Sequence, residues 1–177
     1  MRTLQDSDTR FVFALNDKRT EGSHMGIKFH AVLDAGVGQN AAVSLNRQSG
    51  AVYEFPAGKQ LTTAVKNGKQ VVNLTFAPSE GKVLLCYPEA LGKLSVTAKK
   101  NYTAEILLTN SSGKAFRGTL PVRICWTDPA GHTRMEYHAI RNGRLEVSVH
   151  PGKNIRKGVW KCRVTELASG MTGEASF

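Results

Sequence analysis

This sequence has no apolar stretch long enough to cross a bilayer. A membrane-spanning helix needs about 20 consecutive apolar residues, and no run in the 177-residue chain approaches that length. The first ten residues are polar and include Asp6 and Asp8, whereas a signal peptide needs a basic start and an apolar middle. We therefore expect no membrane span. We expect an extracellular or periplasmic location only if a longer parent protein carries a signal peptide.

Cysteine is scarce, with three thiols at Cys86, Cys125 and Cys162, and none belongs to a C-x-x-C motif. This count and spacing do not match a structural zinc site. Side chains alternate between faces along a strand, so the apolar residues of 122–127 should face inward and leave Cys125 outside. Cys162 falls on the inward face of residues 159–164. We therefore expect no disulfide between these two, and the redox state of the three thiols stays open.

Sequence motifs for common catalytic chemistry are missing. The chain contains no H-E-x-x-H, P-loop, G-x-S-x-G or dinucleotide-binding fingerprint. Most acidic residues are predicted at turns or on outward positions, so they do not define the opposed carboxylates of a glycoside hydrolase. Glu136 and His138 would share one face of a strand, but two groups do not make a metal site. The sequence therefore predicts no catalytic residue, no metal ligand set and no cofactor, and the binding residues are unknown.

Acidic residues are outnumbered by basic ones, 14 against 24, which gives a net charge of +10. An excess of this size could attract nucleic acid or anionic lipid. The cations are spread singly along the chain, however, and the largest clusters are Lys153–Arg156–Lys157 and Lys161–Arg163. We interpret them as a solvated basic face, and we do not expect the chain to bind nucleic acid.

No segment shows helical periodicity of its apolar residues beyond about two turns. Alternation of apolar and polar residues, with a period of two, dominates instead. The alternation predicts strands at 10–15, 28–34, 41–46, 51–55, 61–65, 70–76, 82–87, 93–98, 103–109, 120–127, 133–140, 144–149, 159–166 and 171–177. The dipeptide Asn142-Gly143 suits the positive-φ positions of a hairpin turn, so residues 134–149 are predicted to pair as a hairpin. Residues 88–92 predict a short helical turn, and Glu166–Gly170 predicts a tight turn.

Strands of this length and spacing predict an all-β fold. About seven fall in each half, which favours two tandem antiparallel β-sandwich domains, residues 1–88 and 89–177. The boundary is placed in residues 87–93, where Pro88 ends one strand and Gly92 precedes the next. One larger sandwich is the alternative.

Aromatic residues are few, at 7% of the chain, and the pattern predicts no exposed row of them. Trp126 and Trp160 fall on inward faces, which favours core packing. Tyr137 alternates with apolar neighbours and is also expected to pack. Loops could still present Tyr87 or Tyr102 to a sugar, so a carbohydrate-binding module stays open as the alternative function.

Two parts of the first half resemble a known family. Residues 10–18, RFVFALNDK, followed by the segment GAVYEF at 50–55, resemble the opening of C-terminal β-sandwich domains of large bacterial glycosidases, including beta-galactosidase-like enzymes. The strands at 71–76 and 81–87 would then be the hairpin and closing strand of such a domain.

The second half resembles an immunoglobulin-like repeat of large bacterial envelope or secreted proteins. The resemblance rests on LPVRICWTDPAG at 120–131, on Tyr137 and on GVWKCRVTELASG at 158–170. In the glycosidases the catalytic acid and nucleophile belong to a separate barrel, so no catalytic residue carries over to this chain. The resemblance implies a non-catalytic accessory or scaffold module. Its partner would be the catalytic domain of a parent chain or another protein.

Overall fold

The computed structural model describes residues 1–6, 8–25, 31–46, 50–150 and 158–177. These residues form antiparallel strands joined by turns and contain no helix, so the predicted all-β antiparallel fold is confirmed. The strands are β1 (Arg2–Asp6), β2 (Thr9–Leu15), β3 (Arg19–Met25), β4 (Ala31–Gly36), β5 (Gln39–Leu45), β6 (Ala51–Phe55), β7 (Lys59–Gln60), β8 (Thr63–Lys66), β9 (Lys69–Phe76), β10 (Gly81–Tyr87), β11 (Leu91–Lys99), β12 (Thr103–Asn110), β13 (Thr119–Thr127), β14 (Thr133–Arg141), β15 (Arg144–Ser148), β16 (Lys161–Glu166) and β17 (Thr172–Ser176).

The first half is built from three small sheets. A five-stranded sheet has the order β1-β2-β10-β6-β7, a three-stranded sheet has the order β5-β9-β8, and β3 pairs with β4. The five- and three-stranded sheets bury a common core that includes Val12, Val52, Val72, Leu74 and Leu84. Because side chains alternate along each strand, this core uses one face of the five-stranded sheet and leaves its other face available.

The second half is a sheet that divides into two layers. Its order is β11-β12-β15-β14-β13-β16-β17, but β14 and β15 share a single pair, Arg141 with Arg144. Strands β11, β12 and β15 therefore form one layer, and β14, β13, β16 and β17 form the other. The layers also meet where Gly173 of β17 lies against Val96 of β11. A Cβ at Gly173 would be 2.8 Å from a Val96 methyl, so only glycine fits there.

The hairpin predicted over residues 134–149 is wrong beyond its turn. Asn142 and Gly143 do have positive φ angles of 50° and 76°, as the turn prediction requires. After the turn, however, β15 pairs with β12 instead of β14, and the Leu108 amide donates to the Gly143 carbonyl at 2.8 Å. The chain thus crosses from one layer to the other, because Leu145 and Val147 must join the core on the opposite side.

The helical turn predicted for residues 88–92 is also wrong. Residues 88 and 89 form a bend, and β11 begins at Leu91, whose amide donates to the Tyr53 hydroxyl at 3.2 Å. The Ser111 amide donates to the Ala90 carbonyl at 3.1 Å. These long-range partners satisfy the backbone groups that a helical turn would otherwise pair locally. The turn predicted at Glu166–Gly170 is confirmed.

The two halves share one continuous core. It combines Leu85 and Tyr87 of the five-stranded sheet with buried residues of β12, β13 and β16. The buried Thr9 hydroxyl accepts from the Thr119 amide at 2.9 Å and donates to the Thr119 carbonyl at 3.0 Å. The halves therefore contact each other through buried apolar and polar groups. The division at residues 88/89 stays a prediction.

Candidate functional site

The polar pair predicted on β14 lies along one face of that strand. His138 Nε2 is 3.0 Å from Glu136 Oε2, and Arg134 Nε lies 2.9 Å from Glu136 Oε1 in an ion pair. The shared face of Glu136 and His138 is thus confirmed, and Glu136 contacts both His138 and Arg134 along the strand. Across the described ranges, no group of three or more His, Cys, Asp or Glu side chains could hold a metal ion.

Within the described ranges the three cysteines form no disulfide, as the strand alternation predicts for Cys125 and Cys162. Cys162 is buried opposite Trp126 on the inner face, while Cys125 lies opposite Arg163 on the outer face. Burial raises the pKa of the Cys162 thiol to about 12, so this thiol stays protonated at neutral pH.

The expectation that a loop could present Tyr87 to a ligand is wrong. Tyr87 is fully buried between the halves, and its ring meets Phe116 edge-on with centroids 5.2 Å apart. Its hydroxyl is buried without a hydrogen-bond partner among the residues that the structure describes. Tyr102 is half-buried against Trp160, with centroids 5.8 Å apart, so its ring is also used in packing.

The prediction that Tyr137 packs inward is also wrong, because it is 69% exposed. The cause is the register of β14 with β13. Val122 and Ile124 of β13 face the core, and their partners on β14 are His138 and Glu136. The polar residues of β14 thus occupy the inner side at the margin of the sandwich, and Tyr137 points to solvent.

An aromatic depression lies at the end of the second half. It has a volume of about 230 Å³, and Trp126 and Trp160 contribute to its wall. Asp128, His132 and Arg134 supply polar groups at its rim. The hydrogen bond from His132 is the largest cause of the lowered pKa of Asp128, whose Oδ2 is 2.9 Å from His132 Nδ1. Aromatic walls with polar groups at the rim are typical of small-ligand sites.

An uncovered apolar face is the larger candidate surface, and it belongs to the five-stranded sheet. The cross-strand pairs place Leu4, Phe13 and Leu15 on the same side of the sheet as Phe55 and Val83. We call these five residues the uncovered face. Leu4 is 50% exposed, Phe13 39% and Leu15 67%, whereas Phe55 and Val83 are half-buried.

The uncovered face continues the interface between the halves. Along β10, Val83 is half-buried, but Leu85 and Tyr87 farther along the same side are fully buried by the second half. Along β2, exposure falls in the same direction, from Leu15 to Phe13. The second half therefore covers one end of an apolar sheet face and leaves the other end in solvent.

A buried carboxylate closes the turn that faces this interface. Glu166 is fully buried, and its carboxylate accepts from the amides of Ala168 at 2.8 Å and Ser169 at 2.7 Å. Burial nevertheless raises the pKa of Glu166, because it penalises the charged form more than these hydrogen bonds favour it. Sequence reasoning placed most acidic residues outward and missed this one. The alternation Cys162, Val164, Glu166 was the available signal.

Comparisons with known proteins add a distant structural likeness. No family model matches the chain, and no curated protein matches its sequence. Among solved structures, the beta-glucuronidase of Ruminococcus gnavus aligns over 100% of this chain and 46% of its own, with 11% identity and a TM-score of 0.30. The chain thus spans less than half the length of that enzyme, and we transfer no activity from it. No described segment forms a helix with the length and apolarity needed to cross a membrane.

Proposed function

We propose that this chain is a non-catalytic accessory module of a larger carbohydrate-active or envelope protein. It would pack against a neighbouring domain of the same polypeptide through the uncovered face. The carbohydrate-active part of the proposal comes from the sequence resemblance to glycosidase C-terminal domains. The docking part comes from the structure of the five-stranded sheet.

The docking role is supported chiefly by the exposure of Phe13 and Leu15. Both lie beside the interface between the five-stranded sheet and the second half. A fully exposed leucine or phenylalanine leaves about 1.5–3 kcal/mol of burial energy unused. Contiguous apolar surface on a folded protein commonly marks an interaction site. Because the same side of the sheet already packs against the second half, another domain could extend that contact with little rearrangement.

We expect Phe13 and Leu15 to be protected from hydroxyl-radical labelling in the complete protein that contains this chain. Their labelling should fall at least threefold relative to the isolated 177-residue chain, because a docked domain excludes solvent from their side chains. Val65, which is 61% exposed on the three-stranded sheet, serves as the control and should label equally in both. Equal labelling of Phe13 and Leu15 in both proteins would contradict docking through this face.

A carbohydrate-binding module is the second candidate function, and the aromatic depression favours it. Trp160 is half-buried, so part of its ring lies at the surface of the depression. Asp128 and Arg134 could exchange hydrogen bonds with sugar hydroxyls beside that ring. A volume of about 230 Å³ suits a ligand of one sugar residue better than a long oligosaccharide.

Replacing Trp160 by alanine is expected to weaken sugar binding at least tenfold, because it removes one of the two aromatic rings in the wall of the depression. Calorimetry with a panel of neutral and acidic monosaccharides, at millimolar concentration, measures this effect. Val65→Ala removes an exposed apolar side chain of the three-stranded sheet, outside the depression, and should leave this binding unchanged. The candidate fails if the wild-type chain binds no sugar of the panel, or if Trp160→Ala binds as the wild type does.

A further inference from the structure

We propose that the outer face of the four-stranded layer in the second half binds an acidic polysaccharide. The binding residues would be Arg123, Lys161 and Arg163, with Tyr137 beside them. We call these four residues the basic face. The proposal goes beyond the docking role and does not depend on it, because the basic face and the uncovered face belong to different sheets.

Strand register places the four residues on one side of the layer, with Lys161 beyond Arg163 on β16. Arg123 of β13 lies between Tyr137 of β14 and Thr165 of β16. In the adjacent row, Arg163 of β16 lies directly opposite Cys125 of β13. Directly opposed Cβ atoms are about 4.5–5.5 Å apart, and diagonal neighbours about 7–8 Å. Arg123 therefore lies within about 8 Å of both Tyr137 and Arg163 at the level of the sheet.

The cations of the basic face form no ion pair with any other described residue. Arg123, Lys161 and Arg163 are exposed and form no ion pair within the described part of the chain. Other basic residues do pair, as Arg144 does with Glu105 at 2.8 Å. Glu174 lies across from Arg163 on β17 without an ion pair to it. Glu174 is the single acid on this side among the described strand residues of the layer.

Spacing and chemistry favour an extended anionic ligand. Lys161 and Arg163 are two residues apart on one strand, which separates them by about 7 Å. This is within the Debye length of about 8 Å at physiological salt, so the unpaired cations repel one another. A chain of regularly placed anions would relieve that repulsion. The planar guanidinium groups of Arg123 and Arg163 also match carboxylates and sulfates in bidentate geometry.

The aromatic content of the face favours a polysaccharide over a nucleic acid. Single-stranded nucleic acid is held by stacking successive bases on several aromatic rings. The described residues of this layer expose one ring on the outer side, that of Tyr137. One ring suffices for stacking a single sugar, while the three cations would hold acidic groups on its neighbours. The surface is basic, and its three cations form no ion pair with the described residues. It therefore complements an acidic glycan.

Binding to polygalacturonate and to chondroitin sulfate, measured by calorimetry, tests the proposal. We expect both to bind, with affinity that falls as salt is raised, and neutral dextran not to bind. Tighter binding of polygalacturonate would identify carboxylate as the preferred group, and tighter binding of chondroitin sulfate would identify sulfate. The double change Arg123→Gln with Arg163→Gln should weaken binding at least tenfold, and Tyr137→Ser about threefold.

A matched control distinguishes binding through the basic face from attraction by the net positive charge of the chain. Lys66→Gln with Lys69→Gln removes the same charge from exposed positions of the three-stranded sheet and should keep affinity within twofold. All five positions changed in these variants are exposed, so Tm should stay within about 2–4 °C of the wild type. The proposal is overturned by no binding to either polymer, by equal losses in both double variants, or by tighter binding of a 20-nucleotide oligothymidylate.

Discussion

Replacing Phe116 by alanine is expected to lower the free energy of unfolding by about 3–5 kcal/mol, because a fully buried phenylalanine is lost from a packed core. Phe116 packs edge-on against Tyr87, which belongs to the first half. The loss should therefore affect both halves together. Urea unfolding, followed by far-ultraviolet circular dichroism and by tryptophan fluorescence, measures the change.

The two tryptophans lie in the second half, so fluorescence reports that half alone. We expect a single transition with the same midpoint by both probes, and loss of amide protection in β6 and β10 at that midpoint. Leu107→Ala is the control, because Leu107 is 41% exposed, and its effect should stay within about 0.5 kcal/mol. Protected amides in β6 and β10 after tryptophan exposure would show that the halves unfold independently.

Changing Glu166 to glutamine is expected to remove a pH dependence of stability. Because burial raises the pKa of Glu166 in the folded state, the folded protein holds this proton to a higher pH than the unfolded chain does. The resulting stabilisation is fully present below the unfolded pKa of about 4.3 and is lost as pH rises through the folded pKa. The wild type should thus gain stability relative to Glu166→Gln as pH falls from 7 to 4.

Glu105 provides a control, because its contribution to stability should change with pH in the opposite direction. Its pKa is lowered, chiefly by the hydrogen bond from Lys99, so its contribution is present at neutral pH and is lost as pH falls. The wild type should therefore lose stability relative to Glu105→Gln over the same pH range. Denaturant unfolding at four pH values gives both differences. A wild-type advantage over Glu166→Gln that shrinks on acidification would contradict the role assigned to the buried carboxyl.

A third change at this turn tests the hydrogen bonds themselves. Glu166→Ala leaves the amides of Ala168 and Ser169 without their acceptor, which costs about 1–3 kcal/mol for each buried donor. Its destabilisation should exceed that of Glu166→Gln, because glutamine keeps one side-chain oxygen as an acceptor. Comparing the two variants separates the stability that comes from the hydrogen bonds of the turn from the effect of the carboxylate charge.

Local sequence patterns were sufficient to predict most strands and several turns. Alternation placed Cys162 inside and Cys125 outside, because the side chains of a strand point to opposite faces whatever the strand pairs with. Asn142-Gly143 was predicted as a turn because few other residues adopt two successive positive φ angles. Strand β1 was missed, since its residues are exposed throughout and carry no apolar alternation.

Tertiary structure decided which side of each strand is covered. Met135 and Tyr137 alternate as core residues would, yet they face solvent, because the inward side of β14 is set by its register with β13. The five-stranded sheet has apolar residues on both sides. Only the position of the second half determines that Tyr87 is buried while Leu15 is exposed.

The sequence by itself thus determined the all-β class, the opposite faces of Cys125 and Cys162 and the turn at Asn142-Gly143, because these depend on neighbours within a few residues. The candidate surfaces depend on strands far apart in the chain. Arg123 and Arg163 become neighbours only through the pairing of β13 with β16, and Leu4 and Phe13 share a face only through the pairing of β1 with β2. Long-range register is chosen by the total burial of the folded chain, and no local pattern contains that information.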